Sequence, residues 1–150
     1  CAPLVFTDTA GAVINARPAE FSDGWAIAFD LPRMRSAYGV AGVGLLDTDR
    51  ASAEEKERQI KAQWPYFREL PGLPQPAYAG YGLEGAEPYP ADTPNGERLD
   101  SLAYVRVGGQ KCLYNVWSKL GRDHLEALLD SLLGVSGAIP GAAPRSGGAT

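Results

Sequence analysis

Apolar positions recur in twos along several stretches of the chain and in threes and fours along two others. That contrast predicts a mixed α+β fold. From Trp25 to Asp30, Trp25, Ile27 and Phe29 alternate with Ala26, Ala28 and Asp30, as in a strand with one buried face. Asp23-Gly24 supplies a turn before this strand, and Pro32 ends it because proline cannot donate to a ladder. Leu4, Val5 and Phe6, then Val13 and Ile14, make one or two short strands about a turn at Ala10-Gly11. Tyr38 to Leu46 is another strand, whose Gly39, Gly42 and Gly44 imply close packing by a neighbouring element or a bulge.

Leu99 to Val107 and Gln110 to Trp117 are rich in β-formers, and Gly108-Gly109 between them permits a two-residue primed turn. In that register Val105 faces Cys112 and Ala103 faces Tyr114. Val105, Val107, Cys112, Tyr114 and Val116 then share one face, with Cys112 buried, and Leu102, Tyr104 and Leu113 share the other. Strands apolar on both faces belong in the middle of a sheet.

Two segments follow the helical period. The first spans about 52–69. Ser52 and Glu55 form a capping box, Glu54, Glu55 and Glu57 suit the helix dipole, and Ile60, Trp64 and Phe67 make a narrow apolar stripe. Pro65 predicts a kink or an end near Trp64. The second spans about 122–133, opening on Asp123 and Glu126 and carrying Leu125, Leu128, Leu129, Leu132 and Leu133 on one face, with Gly134 as its C′ residue. The expectation is an antiparallel sheet of about five to six strands with two helices packed on it. Residues 1–136 make one domain, and the Gly/Ala/Pro/Ser-rich tail 137–150 lacks packing groups and is expected to be disordered.

Pro71 to Arg98 breaks both periods and is dense in proline and glycine, so it reads as one long loop, a kind usually functional or mobile. Tyr78, Tyr81, Leu83 and Tyr89 ride on it, with Glu84, Glu87 and Asp92 adding negative charge. Tyrosine offers contact area at low entropic cost, which suits a recognition surface. Ala77 to Tyr81 is alternatively a short strand, leaving a loop of 82–98.

Composition narrows the function classes. Apolar residues are 45% and charged residues 21% of the 150, as in ordinary globular domains. A net charge of -4, with Arg17, Arg33, Arg35 and Arg50 scattered among acidic residues, argues against nucleic acid, which needs a concentrated basic face. The sequence has no run of 18 apolar residues, so no helical span is expected. The chain opens on Cys1 followed by Ala2, which resembles a mature bacterial lipoprotein sorted to the outer membrane, so lipid on Cys1 is the expectation. Cys112 is then a lone buried thiol, and in an unlipidated chain a Cys1–Cys112 disulfide is the alternative.

No catalytic set emerges. His124 is placed on the surface of the last helix, and Ser101, Ser118 and Ser131 lie in no nucleophile elbow. Glu54-Glu55 and Glu84/Glu87 are paired carboxylates without a cleft to define their work. Asp47-Thr48-Asp49 resembles the start of a calcium loop but lacks its glycine and distal glutamate, and Gly39, Gly42 and Gly44 have the wrong spacing for a dinucleotide loop. The expectation is therefore no metal and no cofactor.

An acylated N-terminus, one small α+β domain, a long recognition loop and no catalytic set resemble the periplasmic immunity lipoproteins that protect bacteria from type VI secretion effectors. The likeness is in particular to the immunity partner of a peptidoglycan-cleaving muramidase. The resemblance implies a toxin inhibitor that occludes its partner's substrate groove. The groove-facing residues would be Tyr78, Tyr81, Leu83, Glu84, Glu87, Tyr89 and Asp92, with Asp47 and Asp49 on a second loop. It also implies a membrane anchor through the lipid on Cys1. The element order resembles the PsbP-like lipoproteins as well, a likeness of fold alone. The competing readings are an envelope assembly lipoprotein that binds cell wall or secretion machinery, and a small-ligand carrier or enzyme.

Overall fold

The computed structural model describes residues 4–6, 15–21, 24–43, 53–110 and 113–134. The elements are β1 (Leu4–Phe6), β2 (Asn15–Phe21), β3 (Gly24–Leu31), β4 (Met34–Val43), α1 (Ala53–Gln63), β5 (Tyr66–Glu69), β6 (Tyr78–Leu83), β7 (Ser101–Arg106), β8 (Leu113–Ser118), α2 (Arg122–Asp130) and β9 (Leu132–Gly134). Seven strands form one sheet in the order β2-β3-β4-β8-β7-β6-β5, antiparallel at each pairing. β1 and β9 pair separately. Among the described residues the fold is α+β with two helices, as expected, and the main sheet is larger than the five to six strands foreseen.

The two helices lie on opposite faces of the sheet. Consecutive residues of a strand point to opposite sides. Tyr81 of β6 reaches Glu126 of α2, whereas a Cβ on its neighbour Gly80 would meet Ile60 and Trp64 beneath α1, at 2.5 and 2.9 Å. Glycine at position 80 is what lets α1 approach that closely. On the α2 face, Val40, Ala103, Val105, Tyr114 and Val116 meet Leu125, Leu128 and Leu129, all essentially closed to solvent. Phe6 and Phe29 close the same core around Tyr38, with ring centroids 5.0–6.3 Å apart.

β7 and β8 sit in the interior of the sheet, as their two-sided apolar pattern requires. Their register differs from the expected one by two residues, with Val105 opposite Tyr114 and Ala103 opposite Val116. A turn closes across Gly108-Gly109, the Gln110 amide bonding the Val107 carbonyl at 3.1 Å, but only Gly109 has positive φ, so it is not the primed type expected. The Gly108 amide is also held to the Pro74 carbonyl at 2.8 Å. A shift of two keeps each side chain on its expected face. The expected burial of Cys112, and its alternative pairing with Cys1, fall on positions outside the described residues, as do Ser52 of the capping box and the tail 137–150.

Both helices end earlier than their apolar periods do. α1 stops at Gln63 because the Pro65 ring excludes helical geometry from the residue before it; the Trp64 amide makes the last helical bond, to the Ile60 carbonyl at 3.0 Å. The chain then becomes β5, where Phe67 stacks on Tyr78 with centroids 5.5 Å apart. The expected helix over 52–69 is corrected accordingly: of its stripe, Ile60 is half-buried on the helix, Trp64 is buried in the link and Phe67 is half-buried on β5. α2 stops at Asp130. The Ser131 amide bonds the Ala127 and Leu128 carbonyls at 3.1 Å, and its hydroxyl donates to the Leu128 carbonyl at 3.0 Å. Leu132 reaches the core from β9, and Gly134 pairs with Leu4 and is no helix cap.

Leu128→Ala is expected to lower unfolding stability by about 2–5 kcal/mol, because the site is fully enclosed and the cavity cannot collapse. Urea unfolding of the variant checks this; a loss below about 1 kcal/mol would mean that α2 is not part of the core.

Candidate functional site

The stretch expected to be one long loop contains a buried strand, β6, and a shorter excursion over 84–100. The alternative strand reading of 77–81 is close to the observed Tyr78–Leu83. The excursion is tied down along its length. The Glu84 amide bonds the Asp100 carbonyl at 2.9 Å, and the Arg98 amide bonds the Lys119 carbonyl at 3.2 Å. Asn95 caps α2: its carbonyl accepts from the Arg122 amide at 2.5 Å and its Oδ1 from the Asp123 amide at 3.0 Å. The helix start therefore takes its cap from a distant loop, where Asp123 and Glu126 were expected to supply it locally.

A second fastening joins the excursion, the sheet and α2. The Arg122 guanidinium lies 4.1 Å from the Tyr66 ring centroid and 5.5 Å from that of Tyr89. Its Nε donates to Glu126 Oε2 at 3.1 Å, and the Tyr81 hydroxyl donates to the same carboxylate oxygen. Arg68 donates to Asp130 Oδ1 at 2.6 Å, and Ser101 Oγ donates to the Tyr89 hydroxyl at 3.0 Å. Burial, reinforced by the Glu126 carboxylate, pushes the Tyr81 phenol up to about 12. Burial acts to raise Glu126, but hydrogen bonds from Tyr81 and Arg122 and the charges of Arg122 and Arg68 outweigh it and hold its carboxyl below the ordinary value. These polar groups are turned on one another, so the cluster fastens and does not face a substrate.

The side chains expected to meet a partner divide sharply. Tyr78, Tyr81 and Tyr89 are 2%, 3% and 8% exposed, so as folded they belong to the interior and offer no contact surface. Leu83 is half-buried, and Glu84, Glu87 and Asp92 are exposed. Asp47, Asp49 and the lipidation candidate Cys1 lie outside the described residues. His124 is half-buried, where an exposed position was expected. Its ring meets Tyr38 edge-on at 4.8 Å, and its Nδ1 lies 2.9 Å from Ser118 Oγ. Ser118 is fully buried and its hydroxyl also accepts the Leu120 amide at 3.0 Å, so this contact is not an accessible nucleophile.

On the α1 face, beside the excursion, lies a cleft of about 320 Å³. Ala41 of β4, Leu102 of β7 and Trp117 of β8 form its apolar lining; Glu84, Asp100, Asn115 and Lys119 supply polar groups, together with Ser101 and Ser118, whose hydroxyls are already bonded to Tyr89 and His124. Trp117 is locked. Its Nε1 donates to the Ser36 carbonyl at 3.3 Å, and its indole occupies the space that a Cβ on Gly39 would need, 2.3 Å away. Gly39 thus serves close packing, as its glycine-rich strand implied, with a side chain as the neighbour. Asn115 Oδ1 is buried without a hydrogen-bond partner.

Of the expected residues that are described, only Glu84 reaches this cleft. Trp117 and Asn115 were missed although the alternation of β8 carried the signal, since both must oppose Tyr114 and Val116. Among the described residues no group of three or more His, Cys, Asp or Glu side chains is placed to hold a metal ion, and no helix is long and apolar enough to cross a membrane. No protein-family model, no curated protein and no solved structure matches this chain.

The fastening cluster has a definite pH signature. Glu126 has a folded pKa below its ordinary 4.5, so the stability it contributes is present above that value and lost as pH falls through the lowered one. Tyr81 is raised from 10.0 to about 12, so its contribution is present below pH 10 and lost as pH rises through about 12. Glu126→Gln is therefore expected to flatten the acid limb of the urea midpoint against pH, and Tyr81→Phe the alkaline limb. Unchanged limbs in both variants would count against the network.

Proposed function

We propose that this protein binds and inhibits a secreted antibacterial toxin of the peptidoglycan-cleaving, muramidase type by presenting the excursion 84–100 to the toxin's substrate groove. The observation that carries this reading is the fastening of the excursion together with what it projects. Glu84, Glu87, Asp92, Glu97 and Asp100 are exposed along a segment tied to β7, β8 and α2. A loop already fixed in place loses little conformational freedom on binding. Its negative charges steer it toward a positively charged groove and raise the association rate. The recognition chemistry is then acidic, with the tyrosines acting as internal supports and not as contacts.

The triple variant Glu84→Gln, Glu87→Gln, Asp92→Asn is expected to keep its fold and to slow association with such a toxin by about ten-fold at low salt, with the difference closing as salt rises. Surface plasmon resonance across a salt series measures this, alongside protection of toxin-exposed cells by the native chain. Failure of the native chain to bind or protect against secreted peptidoglycan hydrolases would end the reading.

A further inference from the structure

We infer that the cleft on the α1 face is an anchor for one arginine side chain of the binding partner, an assignment that rests on the reading of this protein as a binding module. The argument begins with an imbalance in the lining. Among the described lining residues Glu84 and Asp100 bring two carboxylates against one cation, Lys119, while the Ser101 and Ser118 hydroxyls are already engaged by Tyr89 and His124. Lys119 answers only one of the two carboxylates, so the lining keeps an excess of negative charge and the cleft favours an occupant that donates.

Shape and lining select among donors. Trp117, Leu102 and Ala41 give an apolar wall, and the bond from Trp117 Nε1 to Ser36 fixes the indole, so no rotamer is lost when a ligand packs against it. A guanidinium fits each of these features. It is planar and weakly hydrated, carries five donors and no acceptor, and stacks on aromatic faces, while its methylene stem covers apolar surface. A lysine ammonium is a compact, strongly hydrated charge that gains less from an indole. Phosphate and carboxylate ligands are repelled by Glu84 and Asp100. A pyranose is uncharged and leaves the excess carboxylate of this lining without a counter-charge.

Position ties the cleft to the proposed binding face. Glu84 and Asp100 bracket the excursion and are joined through the Glu84 amide and the Asp100 carbonyl, so both carboxylates stand at its base. Lys119 follows β8, and its carbonyl holds Arg98. Its ammonium competes with an incoming guanidinium for the same carboxylates, so removing that charge strengthens binding.

The test is an NMR titration of the full chain with the peptide acetyl-Gly-Arg-Gly-amide, run beside the lysine analogue, N-acetylglucosamine and inorganic phosphate. The expected result is a saturable shift of the Trp117 indole N–H and the Asn115 side-chain amide with the arginine peptide at millimolar concentration, and binding about five-fold weaker for the lysine analogue. The surface variant Asp100→Asn with Glu84→Gln is expected to weaken the arginine peptide about ten-fold, and Lys119→Gln to tighten it. The assignment is overturned if the arginine peptide gives no saturable shift up to about 50 mM, if lysine binds equally well, or if the sugar or phosphate binds more tightly. Peptide binding without toxin inhibition would end the proposed function and keep the cleft. Toxin inhibition without peptide binding would do the reverse.

Discussion

The structure depends on the burial of one sheet face under α2. Val40, Ala103, Val105, Tyr114 and Val116 close against Leu125, Leu128 and Leu129, and little solvent reaches any of them. Burying a leucine side chain contributes roughly 1.5–3 kcal/mol, so this contact is large beside the net stability of a domain. It also fixes where the N-terminus of α2 stands. Asn95, the cap of that helix, is thereby fixed as well, and with it the middle of the excursion 84–100.

The Arg122, Glu126 and Tyr81 cluster is best understood against that background. It lies at the margin of the apolar contact, where the excursion crosses from the sheet to the helix. A guanidinium over Tyr66 and Tyr89 and a carboxylate shared by Tyr81 and Arg122 select one orientation of α2 where apolar packing alone tolerates several. The tyrosines that look on paper like a recognition surface act here as internal supports. On the proposed function their part in binding would be indirect, as supports of the segment that carries Glu84, Glu87 and Asp92.

Local patterning made much of the scaffold legible. The alternation in β3, β7 and β8 placed side chains on the right faces even where the register differed by two, because period-two patterning is blind to such a shift. Helix ends were less legible, since Phe67 and Leu132 continue the apolar spacing after the backbone has become extended, Phe67 half-buried and Leu132 in the core. Tyr78 and Tyr81 misled because glycine and proline neighbours suggest loop, while Gly80 and Gly82 were there for close packing under α1 and Pro65. The cleft was the least legible part. Glu84 and Asp100 stand at the two ends of the long connection between β6 and β7, and Asn115 and Trp117 lie on β8, so no local pattern records their meeting.

β8 shows why the scaffold and the cleft are not independent. Tyr114 and Val116 are enclosed in the α2 core, and Asn115 and Trp117, interleaved with them, line the cleft. Each peptide unit of this strand therefore serves both sides of the sheet. Tyr114 and Val116 hold the backbone at atomic precision, and Asn115 and Trp117 inherit that precision without contacts of their own to the core. A strand paired on both edges gives a firmer base for a recognition pocket than a loop does. The excursion complements it by bringing charged groups to the margin of a surface whose floor the core has already set.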